Sequence, residues 1–219
     1  YILLTAVIVL FGVEKGIEKA SKIMMPVLVV LSLIIAIYSI TLPGAMEGVI
    51  YYIKPDFSAF SVTTVLAAMG QLFYSMSLAM GIMITYGSYM KKDVSISSSV
   101  KQIEIFDTGI AFMAGLMIIP AIFSFSGGIP EKPGPSLMFV TLPKVFDSMT
   151  GGTIIGVIFF LLVLFAALTS SISLMETVVS IICDKFKVKR TLSCIIVVIF
   201  SLLLGLVSCF GYSIWESVT

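Results

Sequence analysis

The stretch Gly70-Gln-Leu-Phe-Tyr-Ser-Met-Ser-Leu-Ala-Met-Gly81 interrupts an apolar run long enough to cross a membrane. A helix facing lipid has no use for a glutamine, a tyrosine and two serines between glycines. Gln71 and Ser75 are four apart and share a helix face, whereas Ser77 falls elsewhere on a continuous helix. Gly70 and Gly81 weaken both flanks. The stretch is either a kinked packing helix or a helix broken near Ser75 to Ser77, with carbonyls and hydroxyls turned inward together. Unwound backbone is tolerated at membrane depth only where it is buried in protein or lines a cavity. The second reading therefore predicts a segment packed inside the protein or lining a cavity.

The rest of the chain supplies the membrane. It is 59% hydrophobic and 11% charged, with a mean hydropathy of +1.16; a soluble domain carries about 25% charged residues. Apolar segments fall at 1–12, 23–41, 61–89, 104–125, 153–182 and 192–211, so an all-α polytopic bundle forming a single transmembrane domain over 1–219 is expected. Tyr1 already lies inside an apolar run, and the chain is expected to be a fragment of a longer one. A net charge of +1 without a basic tract argues against a nucleic-acid partner. Histidine is absent, which excludes histidine-based catalysis within this chain, and no enzyme activity is expected. Cys183, Cys194 and Cys209 have no metal-ligand spacing and are expected to pack as small hydrophobes.

Of the 13 lysines and arginines, all but Lys54, Lys132 and Lys144 lie in loops 13–22, 90–102 and 183–190. The positive-inside rule makes those loops cytoplasmic and predicts a multi-pass protein of the cell inner (plasma) membrane. The long outer loops are 42–60 and 126–150, the first with Pro43, Gly44 and Pro55, the second with Gly127, Gly128, Pro130, Pro133, Gly134 and Pro135. Phe139–Phe146 within the second is apolar enough for a helix across the outer mouth.

Two further polar groups share the spans with the opening stretch. In Phe165-Ala-Ala-Leu-Thr-Ser-Ser171 the hydroxyls of Thr169 and Ser170 follow the Ala166 carbonyl by about one turn. Carbonyl and hydroxyl oxygens suit a hard cation such as sodium, and they equally suit helix packing. Asp107 and Glu176 are ionisable at membrane depth, where a charge costs at least about 2.5–3.5 kcal/mol and faces a cavity or partner. Asp107 is placed to neutralise a cation, or lies hydrated at the membrane edge. Glu176 calls for a polar partner on another helix, either within this chain or in a part of the protein it lacks.

Taken together these residues resemble the neurotransmitter:sodium symporters, in their bacterial amino-acid-transporting branch. The resemblance rests on Gly70-Gln-Leu-Phe-Tyr-Ser-Met-Ser-Leu78, Ile84-Thr-Tyr-Gly-Ser-Tyr89, Thr141-Leu-Pro143, Gly151-Gly152 and Leu168-Thr-Ser-Ser171, in family order and spacing. It implies a fragment running from helix 4 to helix 9 of eleven or twelve, within an inverted-repeat five-plus-five fold. Residues 61–89 correspond to helix 6, broken at mid-membrane, and helix 1, which supplies much of the family's site, is absent. Sodium-coupled symport of an amino acid by alternating access is the implied activity, without cofactors other than two sodium ions. A monomer or weak dimer in the lipid bilayer is the expected state.

Residue by residue, the resemblance assigns Ser75 and Asp107 to the first sodium site and Ala166, Thr169 and Ser170 to the second. Gln71 and Asp107 match the region where chloride-dependent members hold chloride. An aspartate there resembles the chloride-independent arrangement, and it raises the prospect of proton counter-transport. The family often has threonine in place of Ser75 and asparagine or serine in place of Asp107. Tyr74, Ser75, Ser77, Met80, Ser170 and Leu174 match substrate positions; of these Met80 and Leu174 match the side-chain pocket, and their apolar character implies an apolar or aromatic amino acid. Ala79 stands where the family commonly has glycine, which lowers backbone freedom in the unwound segment. Ser88, Tyr89 and Asp184 match the inner gate, and Gly16 with Pro26 matches a pair that lets helix 5 unwind. The competing readings are a non-transporting amino-acid sensor on the same fold, and an ion channel. An intramembrane protease fits poorly, with no histidine and one aspartate in the spans.

Overall fold

The computed structural model describes residues 1–127, 137–147 and 151–211, in which all regular structure is helical. The helices are α1 (Ile2–Leu10), α2 (Lys19–Ile40), α3 (Ala45–Ile53), α4 (Val62–Ser75), α5 (Ile82–Ser88), α6 (Ile96–Ser126), α7 (Leu142–Asp147), α8 (Gly152–Phe186) and α9 (Arg190–Gly211). π-helical turns precede α2 at Val13–Glu18 and α7 at Leu137–Thr141, and 3-10 turns occupy Phe57–Ala59 and Leu78–Met80. Among the described residues, four helical segments are long and apolar enough to cross a bilayer: Lys15–Ile40, Ile96–Phe125, Gly152–Phe186 and Arg190–Phe210. The expected span 61–89 does not qualify as one helix because it is split into α4 and α5.

Helix outlasts the apolar runs at both lysine-rich connections near α2 and α6. Residues 13–22, expected as a loop, are helical from Val13 onward, and Lys22 Nζ donates to Glu18 Oε1 at 2.7 Å one turn back. Such pairs extend a helix beyond its apolar part. α6 starts at Ile96, where the Ser95 hydroxyl accepts from the Ser98 N–H. That cap satisfies an end donor well before the apolar run begins.

Segment 42–60, expected as a loop, contains α3. Its small residues give it a face for close packing on α6. A Cβ at Gly48 would lie 2.9 Å from Pro120 and Phe123, and one at Gly115 would lie 2.1 Å from the Tyr52 ring. The rings of Tyr51 and Phe123 are 5.2 Å apart, and those of Tyr52 and Phe112 are 5.6 Å apart. The expected outer piece Phe139–Phe146 is helical, with Leu142, Val145 and Phe146 buried. Gly128, Pro130, Pro133, Gly134 and Pro135 lie outside the described residues.

The backbone groups into two compact units. One comprises Tyr1–Met24, Met80–Tyr89 and the chain from Ala166 onward. In it α1 packs on α9, with Ala6, Val9, Ile17, Ile172, Val179 and Cys194 buried. The other comprises Met25–Ala79 and Met90–Phe165. There α6 receives α3 and α7, around buried Ala45, Ile122, Leu142, Val145 and Phe159.

In the first unit Gly16 is buried in the π-helical turn, and a Cβ there would meet the Ile8 carbonyl at 2.0 Å. Both atoms are fixed by backbone, so neither moves without opening the α1 contact. Gly16→Ala is expected to destabilise the protein by about 1–3 kcal/mol, the usual cost of overpacking. Thermal unfolding of the purified full-length protein in detergent measures it, and an unchanged melting temperature contradicts the contact.

Candidate functional site

The opening stretch resolves into a broken helix. Ser61 caps α4, accepting from the Thr64 N–H at 3.2 Å, and the helix runs to Ser75. Met76 N–H still donates to the Leu72 carbonyl at 3.0 Å, and Ser77 N–H to the Tyr74 carbonyl at 3.1 Å. Then Ser77 turns to φ 55°, the chain makes the 3-10 turn Leu78–Met80, and Gly81 at φ 74° starts α5. A left-handed serine costs about 1–3 kcal/mol and persists only where its surroundings enforce it. Ala79 sits inside the 3-10 turn without a positive φ, so the absence of glycine there does not prevent the break.

Where α4 ends, its last residue meets α6. Ser75 Oγ donates to Asp107 Oδ1 at 2.6 Å, across 32 positions of sequence. A hydroxyl and a carboxylate in contact form a pair of hard oxygen donors suited to sodium. Gln71 lies one turn before Ser75 on the same helix, exposed, as is Tyr74.

The second oxygen group lies on α8, in the other unit. Thr169 Oγ1 donates to the Ala166 carbonyl at 2.9 Å and Ser170 Oγ donates to the same carbonyl at 3.1 Å. Three oxygens thus converge within one turn, and a cation bound by all three requires both hydroxyl protons to rotate away from the carbonyl. Leu174 follows Ser170 by one turn, and Met80 closes the 3-10 turn. Of the six expected substrate residues, Tyr74, Ser75 and Ser77 belong to one unit and Met80, Ser170 and Leu174 to the other.

The partner of Glu176, expected on another helix, is Arg190 of this same chain. Glu176 on α8 is 0% exposed. Arg190, the first residue of α9, grips both its oxygens, through Nη1 to Oε1 at 3.1 Å and Nη2 to Oε2. The Tyr89 hydroxyl donates to Oε1 at 2.7 Å. Arg190 also donates to the Val9 carbonyl of α1, from Nε at 3.1 Å and Nη2 at 2.9 Å. The Glu176–Arg190 pair therefore joins α8 and α9 to α1 and to Tyr89 at the end of α5. In the charge pattern Arg190 is one of the loop cations; it is also the sole arginine of the sequence, with the planar fork that suits a carboxylate. Of the other expected gate residues, Ser88 donates to the Thr85 carbonyl of its own helix at 2.7 Å, and Asp184 lies exposed on the last turn of α8.

α5 is tied to α8 again one turn earlier, where Tyr86 and Ser173 hydroxyls are 3.2 Å apart. Gly16 lies in the π-helical turn before α2, and Pro26 lies inside α2, where it lacks the N–H of a regular turn. Cys194 is buried and donates toward the Ala6 carbonyl, as expected of a small apolar filler.

Long apolar spans with one helix broken by polar backbone define a polytopic membrane protein of the transporter class. Comparison with known proteins narrows the class. The Sodium:neurotransmitter symporter family matches residues 1–214. An uncharacterized sodium-dependent transporter of Bacillus subtilis, YhdH, is 37% identical over 218 residues, which is 100% of this chain and 48% of that protein. One of Haemophilus influenzae is 35% identical over 100% of this chain and 48% of its own length. The bovine sodium-dependent dopamine transporter is 27% identical over 94% of this chain and 32% of its length. The crystal structure of MhsT in complex with L-phenylalanine superposes with a TM-score of 0.87 at 42% identity, covering 100% of this chain and 49% of that one. The chain belongs to the sodium:neurotransmitter symporter family, as the motifs implied, and it spans about half the length of the curated relatives it matches. These relatives are transporters, and their names make them sodium-dependent.

Proposed function

We propose that this chain is the helix 4 to helix 9 portion, within a single transmembrane domain, of a plasma-membrane symporter that couples the inward sodium gradient to uptake of an apolar or aromatic amino acid. The carrying observation is the 2.6 Å contact of Ser75 with Asp107 beside the helix break. It supplies a negative charge and two oxygens where the resemblance expects the first sodium ion. Because the aspartate brings its own charge, transport proceeds without chloride. Ala166, Thr169 and Ser170 hold a second sodium ion, and helix 1 completes both shells. Tyr74, Ser75 and Ser77, together with Met80, Ser170 and Leu174, receive the substrate. The L-phenylalanine complex of the similar MhsT supports an aromatic or apolar side chain.

In this reading sodium and substrate bind at mid-membrane, the outer segment closes, and the inner side then opens. Opening releases Ser88, Tyr89 and Asp184 and unwinds the backbone between Gly16 and Pro26. The test is uptake of radiolabelled phenylalanine and leucine by the full-length protein in vesicles, with sodium and chloride varied independently. Saturable uptake that requires sodium and is indifferent to chloride is expected. Binding without flux would favour a sensor, non-saturable flux a channel, and failure without chloride would remove the role given to Asp107.

A further inference from the structure

α8 carries two stripes of oxygen with different partners. Ala166, Thr169 and Ser170 converge on one side. Ala167 and Ser171, four residues apart, lie about a third of a turn further round the helix, and there they meet α1. The Tyr1 hydroxyl donates to the Ala167 carbonyl, and Thr5 Oγ1 lies 3.0 Å from Ser171 Oγ. Each hydroxyl also has a carbonyl of its own helix as acceptor, Ser171 that of Leu168 at 2.9 Å and Thr5 that of Tyr1 at 3.4 Å; with the Ser171 proton on the shorter of these two bonds, Thr5 donates to Ser171.

Thr5 is 1% exposed, buried with Ala6 and Val9 of the same helix. Apolar contact alone does not call for a hydroxyl at that position, since valine has the same shape. A hydrogen bond adds direction, which non-directional apolar contact lacks. Direction matters on α8. A rotation of about 10° moves an oxygen roughly 4 Å from the helix axis by about 0.7 Å. Metal shells tolerate about 0.2 Å.

We propose that Thr5 is a positioning residue for sodium: through Ser171 it sets the rotation of α8 that aims the Ala166 carbonyl and the Thr169 and Ser170 hydroxyls at the ion. This rests on the reading of those three as sodium ligands. α1 then acts as the fixed back wall of the ion site although it contributes no ligand, and the effect of its loss is confined to sodium.

The experiment is sodium activation of phenylalanine uptake by the full-length protein in vesicles. Thr5→Val is expected to raise the sodium concentration for half-maximal uptake about threefold to tenfold, the equivalent of one neutral hydrogen bond. Maximal rate and the half-saturating phenylalanine concentration at saturating sodium stay within about twofold, as befits loss of ion binding alone. Thr5→Ser restores the native value, Ser171→Ala reproduces the rise, and the double variant adds nothing further. Ser171→Ala carries the test if Thr5→Val does not fold. An unchanged sodium requirement in Thr5→Val or Ser171→Ala overturns the proposal, as does a rise in Thr5→Ser equal to that in Thr5→Val. Thr169→Ala separates the two levels of inference. If it leaves sodium activation unchanged, the ligand assignment itself falls; if it alone weakens activation, only the positioning role falls.

Discussion

Replacing Arg190 with alanine is expected to remove about 3–5 kcal/mol of stability, the usual result of stripping one partner from a buried ion pair. The size follows from what is left behind. Glu176 is wholly buried, and without the guanidinium its carboxylate keeps only the Tyr89 hydroxyl. The Val9 carbonyl loses two donors at the same time. Removing both charges is milder, because no uncompensated ion remains. Glu176→Gln with Arg190→Met therefore recovers most of the melting temperature lost in Arg190→Ala. Tyr89→Phe removes one hydrogen bond to a charged acceptor and costs about 1.5–3 kcal/mol. Thermal unfolding of the purified full-length protein in detergent ranks the three. Arg190→Ala as stable as the native protein shows that the carboxylate needs no cation.

This cluster marks where sequence reasoning stopped. Glu176 was identifiable as an ion needing a partner, because charge at membrane depth is costly wherever it lies. Its partner was not, because Arg190 closes a lysine-rich turn and looks like any other topogenic cation. Only the folded chain brings residue 190 to residue 176. The same holds for α3. Pro43, Gly44 and Pro55 read as loop signals at each end, while the helix between them exists because Gly48 and Tyr52 fit α6. Tertiary contact, and not local pattern, makes that segment a helix.

The broken helix was more accessible. Clustered polar groups between glycines in an apolar span contradict lipid exposure, so the sequence itself narrowed the choice to a kink or a break. The left-handed Ser77 and Gly81 decide it. At α8 the hydroxyl spacing identified the candidate oxygens without distinguishing ion binding from packing. The geometry sharpens that ambiguity, since Thr169 and Ser170 both spend their protons on the Ala166 carbonyl. Any ion there must compete with two existing hydrogen bonds. Asp107 and Ser75, 32 positions apart, were joined in the sequence only by family resemblance; neither periodicity nor spacing relates residues on different helices.

That pair carries the largest expected effect on transport. Asp107→Ala removes a full charge beside the proposed first sodium ion. Two unit charges 4 Å apart at an effective dielectric of 20 attract by about 4 kcal/mol, so sodium affinity falls by up to about a thousandfold. Uptake at ordinary sodium concentrations should be undetectable. Ser75→Ala is milder, since it takes one neutral ligand and the hydrogen bond to the carboxylate, and higher sodium rescues it. Asp107→Ser distinguishes charge from shape. It leaves an oxygen ligand and opens room for a small anion, so uptake by this variant should rise with chloride while the native protein stays indifferent. Radiolabelled uptake in vesicles, with gluconate replacing chloride at fixed sodium, reads both. If chloride accelerates native and variant proteins alike, the Asp107 carboxylate is not standing in for an anion. If neither Asp107→Ala nor Asp107→Ser alters the sodium requirement, its contact with Ser75 serves packing alone.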